Sequence, residues 1–403
     1  MKAKDINVKI ILDSRGEPTL EAEFFGENFS VFSSVPAGKS KGSHEMVSLE
    51  PEMCLEKFPS IKTQILEKDF SGQKEFDDFL IFLDGTKDKS NLGGNLILVL
   101  SLVFARAFAR SQNVELYKYI SALLSTSYQL PATNFPLPIF NIINGGAHAK
   151  IKSLEFQEFQ IIPSTKDYAI GLSVAQEFYK KLGRFLEEKF GKEKVLLGDE
   201  AGFSCPFNSN EEALDTIYEL IQKNKYPLNI GMDIAASQFF VKERYLANGK
   251  EYSPQEMAGF YKDIINRYGI ISIEDPFYEE SFGVFTALTS EVGGSVLVIT
   301  DDLTATNKER LQKAIEEKSG NAILIKLNQI GTLSETLEVV ALAYQNNWKC
   351  VVSHRSGETM DDFIADLAVG IGAWGIKAGA PAKPERMAKY NRLLEIQQKG
   401  LKM

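Results

Sequence analysis

The pattern of apolar and polar positions changes character near residue 130. Before that point, apolar and polar residues alternate over positions 6–35 with a turn signal at 26–28, which predicts a β-meander. Apolar positions at helical spacing follow at 76–83, and the apolar stretch from 96 to 110 indicates a buried helix. We therefore predict that residues 1–130 form a small α+β domain, a β-meander followed by helices.

After residue 131, short apolar runs alternate with helical stretches. Two strand-like runs at 138–144 and 156–162 precede two long helical stretches at 167–190 and 211–224. Six further apolar runs alternate with helices, at residues 229–233, 270–274, 297–301, 322–326, 350–354 and 375–377. This alternation is typical of a parallel sheet, and eight strands are enough to close a barrel. We therefore predict an α/β fold, with a (β/α)8-type barrel over residues 131–403.

An ionisable residue ends each of the last six predicted strands. These residues are Asp233, Glu274, Asp301, Lys326, His354 and Lys377. In a barrel the carboxyl ends of the strands open onto one face, where active sites lie, so we expect the six side chains at one mouth. A single aspartate at such a position more often caps a helix or forms an ion pair on the rim, but that interpretation does not explain a whole series.

Asp233, Glu274 and Asp301 end three neighbouring predicted strands and would together form a pocket of hard oxygen ligands. Without a counter-charge these carboxylates would repel one another. A divalent cation relieves the repulsion, and Mg²⁺ is favoured where carboxylates dominate and histidine is scarce, as in this chain with three histidines. The pattern therefore predicts a magnesium site on this side of the mouth.

The basic residues lie on the following strand ends. Lys326, Arg355 and Lys377 suit a substrate that carries both a carboxylate and a phosphate. Their mutual repulsion would lower the pKa of Lys326, as a lysine base requires, although a structural lysine paired with a carboxylate is the alternative interpretation. Glu158 and Glu200 come from other segments and could supply a general acid.

Composition and charge narrow the class of protein. The chain has 403 residues with 45 Lys and Arg against 54 Asp and Glu, a net charge of −9, which argues against nucleic-acid binding. Its three cysteines are far apart and form no C-x-x-C pair, which disfavours disulfides and fits a reducing compartment. The N-terminus has no apolar run of signal-peptide length, and positions 96–105 are too few to cross a bilayer. We expect a cytoplasmic protein with no membrane partner.

Eleven short motifs occur in the same order as in the enolase (phosphopyruvate hydratase) family, which the chain resembles along nearly its whole length. The motifs are DSRGEPT at 13–19, LDGT at 83–86, NGGAH at 144–148, QEF at 157–159, GDE at 198–200, GMDIAAS at 231–237, SIEDP at 272–276, DDL at 301–303, KLNQIG at 326–331, SHRSGET at 353–359 and IKAGAP at 376–381. Together and in order, they make the resemblance highly specific.

The resemblance implies a fold, a reaction and a set of site residues. It implies a barrel of ββαα(βα)6 order beneath an N-terminal domain, and the reversible dehydration of 2-phosphoglycerate to phosphoenolpyruvate in glycolysis and gluconeogenesis. By the match, the first Mg²⁺ would be held by Asp233, Glu274 and Asp301, and a second, bound with substrate, by Ser40. The catalytic residues would be Lys326 as base, Glu200 as an acid kept protonated by nearby carboxylates, Glu158 beside it, and His354. The substrate would be held by His148, Gln157, Arg355, Ser356 and Lys377. A homodimer or an assembly of dimers is implied as well.

The chain departs from the family pattern in a few places. The loop at 37–42 is AGKSKG where the family usually has SGASTG, Gln238 stands where Glu is usual, and one extra residue separates His148 from Gln157.

Two alternatives to an active enolase are a related acid dehydratase and a catalytically weak paralogue with a binding role. The first usually carries Lys-x-Lys on the second barrel strand, where this chain has Gln157 and Glu158. The intact acid, base and metal ligands argue against the second.

Overall fold

The computed structural model describes residues 1–38, 42, 44–125 and 135–400. Ser40, the predicted ligand of a second Mg²⁺, lies outside the described residues. The predicted domain boundary between residues 130 and 131 lies outside them too, and it stays a prediction.

The N-terminal part begins with the predicted β-meander. Strands β1 (Asp5–Leu12), β2 (Pro18–Phe25) and β3 (Ser30–Ser34) pair antiparallel in that order. Four helices follow: α1 (Pro51–Glu67), α2 (Gln73–Asp84), α3 (Gly94–Ser111) and α4 (Leu116–Ser125). On β2, Leu20, Ala22 and Phe24 are buried, as the alternation predicts, so the α+β organisation of this part is confirmed.

Helix α3 is the core of the N-terminal part. The ring of Phe104 stacks on Phe76 at a centroid distance of 4.0 Å and meets the edge of Phe24 at 6.2 Å. With 18 residues, α3 is longer than the apolar run taken from the sequence, and it could cross a membrane by length and composition alone. Because 72% of it is buried inside the protein, it is the buried helix that the sequence predicts.

The second part contains the barrel strands and their helices. The strands of the barrel are β4 (Leu137–Asn144), β5 (Glu158–Pro163), β8 (Leu228–Asp233), β12 (Ile270–Glu274), β13 (Leu297–Thr300), β14 (Ala322–Ile325), β15 (Lys349–Ser353) and β16 (Gly375–Lys377). The helices are α5 (Tyr168–Phe190), α6 (Asn210–Asn224), α7 (Pro254–Tyr268), α8 (Phe282–Val292), α9 (Lys308–Glu317), α10 (Leu327–Ile330), α11 (Leu333–Gln345), α12 (Phe363–Gly370) and α13 (Pro384–Gln398). Helix α7 begins with the capping box of Ser253 and Glu256, with Pro254 at its first position.

The eight strands close into a barrel because β16 pairs with β4. The closure confirms the predicted (β/α)8-type barrel, with one difference in direction. Strand β5 runs antiparallel to both neighbours, β4 and β8, because a direct hairpin connection joins β4 to β5. As a result the first residue of β5, Glu158, lies at the same mouth as the last residues of the other strands.

Two small strand elements interrupt the predicted alternation. Strands β6 (Leu196–Leu197) and β7 (Phe203–Ser204) form a hairpin whose turn carries Glu200 to the mouth. Strands β9 (Phe240–Val241), β10 (Arg244–Ala247) and β11 (Lys250–Tyr252) form a separate three-stranded sheet between β8 and α7. The sequence does not predict this sheet, because its strands are too short to show a pattern.

Candidate active site

Lys377 lies at the centre of the barrel mouth, within reach of three carboxylates. Its Nζ is 3.0 Å from Asp233 Oδ2, 2.8 Å from Glu274 Oε1 and 3.4 Å from Glu158 Oε1. All four side chains are buried. Burial acts to lower the pKa of Lys377, but the surrounding carboxylates outweigh it and raise that pKa well above its usual range, so the lysine is charged.

The candidate base, Lys326, forms an ion pair with Asp301 on the neighbouring strand end. Burial acts to lower the pKa of Lys326, yet the charge of Asp301 outweighs burial and the repulsion of Arg355 and Lys377, and the net pKa is raised. The lowered pKa expected from the sequence is therefore wrong for this state. The reason is distance, since the carboxylate touches the ammonium directly while the two cations act from farther away.

The three carboxylates predicted to hold Mg²⁺ all reach the mouth, but each is engaged by a lysine. Asp301 also belongs to a second carboxylate group, in which carboxylate oxygens of Asp275, Asp301 and Asp302 lie within 4.8 Å of one another. Burial and then the charge of Asp301 raise the pKa of Asp302 to about 7. Because the acids at the mouth outnumber the cations that could neutralise them, the residues present fit a divalent cation with oxygen ligands.

Asp275 and Asp302 are site residues that the sequence analysis missed. The Asp275 carboxylate accepts hydrogen bonds from the backbone N–H groups of Asp301 at 2.9 Å and Asp302 at 2.7 Å, which fixes the end of β13. Each of the two follows directly after a predicted ligand, within the motifs SIEDP and DDL, and that position is the signal that could have found them.

A second buried carboxyl pair, Glu158 and Glu200, lies beside His148. The Nδ1 atom of His148 is 3.3 Å from Glu200 Oε1 and 3.9 Å from Glu158 Oε1. Asn141 donates to Glu200 Oε2 and Gln160 donates to Glu158 Oε2, each at 2.8 Å. These contacts hold the two carboxyl groups at the mouth from the β6–β7 turn and from β5.

The two carboxyl groups of this pair have pKa values shifted in opposite directions. Burial and the charge of Glu200 raise the pKa of Glu158 well above its usual range. Burial also acts to raise the pKa of Glu200, but His148 and His354 outweigh it and hold that pKa well below its usual range. The sequence predicts Glu200 to be the protonated member. The two pKa shifts instead favour a neutral Glu158 and an ionised Glu200, because Glu200 has the shorter contact with His148 and a further one with His354.

Arg355 and Gln157 are each held by a neighbour from another segment. The Arg355 guanidinium pairs with Glu45 through two contacts, at 2.9 and 3.1 Å, and donates to Asn328 Oδ1 at 2.8 Å. Gln157 donates to Asp233 Oδ2 at 3.1 Å and accepts a hydrogen bond from Gln238. Gln238, the departure from the family pattern, therefore orients a candidate substrate residue.

Ser356 connects the site to the first of the sequence motifs. Its Oγ lies 3.4 Å from Nη1 of Arg15, which is in turn held by two hydrogen bonds to Asp13. The β-strand bridge between Ala37 and Gly357 brings the N-terminal part to the same place. The DSRGEPT motif therefore acts by supporting the segment that follows β15.

One cavity brings most of the candidate residues together. Its lining includes eleven of the twelve predicted site residues that the structure describes: His148, Gln157, Glu158, Glu200, Asp233, Asp301, Lys326, His354, Arg355, Ser356 and Lys377. The twelfth, Glu274, contacts Lys377.

Two family descriptions match the chain, "Enolase, N-terminal domain" over residues 3–120 and "Enolase, C-terminal TIM barrel domain" over residues 132–401. The chain belongs to the enolase family.

Curated relatives support the assignment over almost the full length. The chain is 42% identical to the enolase of Methanocaldococcus jannaschii, covering 98% of this chain and 95% of that protein. It is 40% identical to the enolases of Thermococcus gammatolerans and Pyrococcus furiosus, each covering 96% of this chain and 93% of the relative. Enolases are hydro-lyases, and this chain has both domains of the family, so the related acid dehydratase no longer stands as an alternative.

Proposed function

We propose that the chain catalyses the reversible dehydration of 2-phospho-D-glycerate to phosphoenolpyruvate, as an enzyme of glycolysis and gluconeogenesis. One observation carries the proposal. One cavity is lined by a lysine, by the buried carboxyl pair of Glu158 and Glu200, and by an excess of further carboxylates. Elimination of water next to a carboxylate needs a base, an acid and stabilisation of negative charge, and these groups supply all three.

Lys326 is the proposed base for the C2 proton of the substrate. That proton lies next to an ionised carboxylate, so its removal adds a second negative charge to the same group. Arg355 and Lys377 line the same cavity and offer positive charge to the substrate. Burial and the charges of these two residues favour the neutral amine of Lys326, while Asp301 opposes it.

Glu200 is the proposed acid, and Glu158, whose raised pKa keeps it neutral, supplies the proton that Glu200 passes to the substrate. Hydroxide is a poor leaving group, so the oxygen at C3 must be protonated as it departs. Because the two carboxyl groups are buried together, only one of them ionises readily, and the other remains available as a proton donor. Asn141 and Gln160 keep the pair in place through the hydrogen bonds described above.

The remaining candidate residues hold the substrate and the metal ions. The substrate would be bound by His148, Gln157, Arg355, Ser356 and Lys377. Two Mg²⁺ ions are proposed, the first held by Asp233, Glu274 and Asp301 and the second, bound with substrate, by Ser40. When bound, Mg²⁺ supplies positive charge that stabilises the added negative charge on the substrate carboxylate.

We also propose that the enzyme is cytoplasmic and acts as a homodimer or an assembly of dimers, with no nucleic-acid or membrane partner. Three large apolar side chains on one shallow cavity support an assembly. Leu12, Phe32 and Met360 are 67%, 46% and 62% exposed, and they line that cavity together. A face of this kind is typical of an interface between subunits.

Proton NMR of 2-phosphoglycerate in D₂O separates the two proposed roles. In Glu200→Gln, C2 hydrogen exchange should continue while phosphoenolpyruvate formation falls by at least about 10²–10⁴-fold, because the amide cannot donate an acidic proton. In Lys326→Ala both activities should be lost. Lys349→Ala removes a lysine at the opposite end of the barrel and serves as the control, with both activities retained.

Two outcomes would contradict the proposal. Exchange that survives in the Lys326 variant but vanishes in the Glu200 variant would reverse the roles of base and acid. A wild-type protein that neither exchanges the C2 hydrogen nor forms phosphoenolpyruvate in a coupled assay with Mg²⁺ would favour a catalytically weak paralogue with a binding role.

A further inference from the structure

Arg386 is a fully buried arginine that neither the sequence motifs nor the proposed mechanism uses. It lies in the first turn of α13, and its side chain is 0% exposed. A cation in this turn faces the positive end of the helix dipole, which is electrostatically unfavourable. A buried, unfavourably placed arginine therefore needs compensating contacts elsewhere, and these contacts show what it does.

The guanidinium group of Arg386 contacts two parts of the candidate site at once. Its Nη1 lies 2.6 Å from His354 Nδ1 and donates to the carbonyl oxygen of Arg355 at 2.9 Å. Its Nη2 donates to the carbonyl oxygens of Ser356 at 2.6 Å and Asp199 at 3.1 Å. One side chain thus connects the substrate-binding segment after β15 with the turn that carries Glu200.

The contact with His354 determines where the proton of the imidazole ring lies. A guanidinium can only donate hydrogen bonds, so Nδ1 of His354 must be the acceptor and carries no hydrogen. The single proton of a neutral ring is then on Nε2. That atom lies 3.5 Å from Glu200 Oε1 and has no hydrogen-bond partner among the residues that the structure describes.

The surroundings of His354 favour the neutral ring and fix its position. Burial, reinforced by the charges of Arg386, Lys377 and His148, lowers the pKa of His354 well below its usual range, although Glu200 opposes this. Gly379 lies against the group with φ +86°, and a Cβ there would stand 3.0 Å from Arg386 Cδ and 3.3 Å from His354 Cε1. The absence of a side chain at this position therefore lets the ring and the guanidinium lie close to the backbone of Gly379.

We propose that Arg386 is a positioning residue for the acid half of the site, fixing His354 as the Nε2–H tautomer so that this N–H points to Glu200 and the substrate. The N–H is left free for the oxygen that leaves C3 or for the ionised Glu200. His354 thereby acts as a hydrogen-bond donor and not as a proton acceptor. The assignment of the tautomer does not depend on the proposed reaction, whereas the catalytic consequence does.

Nitrogen NMR of protein labelled at histidine tests the tautomer directly, because the chain has only three histidines. The ¹⁵N resonances of His354 are assigned by their loss in His354→Asn. We expect a neutral ring with hydrogen on Nε2 that does not change between about pH 6 and pH 9. In Arg386→Met the tautomer should become mixed and the ring should titrate. A wild-type ring with hydrogen on Nδ1, or a charged ring, would overturn the proposal.

Activity measurements test the positioning role. At saturating substrate, Arg386→Met should lower phosphoenolpyruvate formation about 10- to 100-fold, the loss expected for one charge-assisted hydrogen bond. Exchange of the C2 hydrogen should fall much less, because only the acid half is disturbed. Arg386→Lys keeps one donor for Nδ1 but cannot reach all of the carbonyl groups, so it should retain the tautomer and raise KM.

Arg392→Met provides the matched control, since Arg392 is a partly buried arginine on the same helix that pairs with Asp366 and Glu115 away from the site. It should lower thermal stability while leaving the His354 resonances and the ratio of dehydration to exchange unchanged. If Arg386→Met and Arg392→Met lower both activities and stability in parallel, Arg386 has only a structural role. If the wild type shows no turnover, the proposed function fails, and the NMR experiment still decides the tautomer.

Discussion

Two regions of the molecule contain buried charge: the barrel mouth, and the group of Arg392, Asp366 and Glu115, which we call the base of helix α13. They differ in how completely the buried carboxylates are paired with cations. At the mouth, Lys377 is shared among three buried carboxylates, and the pKa of Glu274 is raised well above its usual range by burial and by Asp233. At the base of α13, Arg392 contacts both oxygens of Asp366 at 2.8 Å and Glu115 at 2.8 Å. Buried carboxylates that outnumber their cationic partners form a site for cations and substrate. A buried carboxylate whose two oxygens each contact an arginine instead holds secondary-structure elements together.

The largest effect is expected when a carboxylate is removed from the mouth. Asp233→Ala should lower Mg²⁺-dependent turnover by about 10³-fold or more, because a bound cation contributes several kcal/mol to the reaction. Stability without metal should change little, since Lys377 keeps Glu274 and Glu158. Turnover is measured in a coupled assay, and stability by urea unfolding in the absence of Mg²⁺. Near-normal turnover in this variant would exclude Asp233 as a metal ligand.

The opposite result is expected when a carboxylate is removed from the base of α13. Asp366→Ala leaves Arg392 with only the more exposed Glu115 and Glu395, and it also removes the acceptor for the backbone N–H of Tyr117. We expect a loss of about 2–4 kcal/mol in the free energy of unfolding, with activity per folded molecule unchanged. A variant that unfolds like the wild type would show that the matched pair contributes nothing to stability.

Most of the barrel could be predicted from sequence because its strands are short apolar runs that end at charged residues. The bounds of β12 and β16 are the predicted ones, and β4 begins one residue earlier than predicted. Strand direction was not predictable, because an apolar run looks the same in either direction. The antiparallel β5 follows from its hairpin connection to β4, and it is what brings Glu158 to the mouth.

The identity of the site residues was predictable, but their protonation and pairing were not. The sequence places Lys326 near two cations, yet its pKa depends on the direct contact with Asp301, and that distance exists only in the folded chain. Likewise, the opposite pKa shifts of Glu158 and Glu200 depend on burial and on the histidines packed beside Glu200. Arg386 gave no signal at all, because an arginine in the first turn of an amphipathic helix is normally a surface charge.

The smallest expected effect comes from Asp77, a buried carboxylate that belongs neither to the barrel mouth nor to the base of α13. It is held at the contact between α2 and α11 by hydrogen bonds from Gln73 Nε2 and the backbone N–H of Ser334. Burial raises its pKa from the usual 3.8 to about 6, and the hydrogen bonds only partly oppose that. Unlike the acids of the mouth and of α13, it has no ion pair with a cation among the described residues.

Asp77 should therefore make stability fall as the pH rises, and Asp77→Asn should remove that dependence. Between about pH 4 and pH 6 the folded protein binds more protons at this group than the unfolded chain, so stability declines as the pH rises through 6. The full pKa difference corresponds to about 3 kcal/mol. Urea unfolding at pH 4.5 and pH 7.5 measures the change, with the exposed neighbour Asp78→Asn as control. An equal pH dependence in Asp77→Asn and wild type would mean that the carboxylate is stabilised in its ionised form, and that hydrogen bonds alone can satisfy a buried acid in this protein.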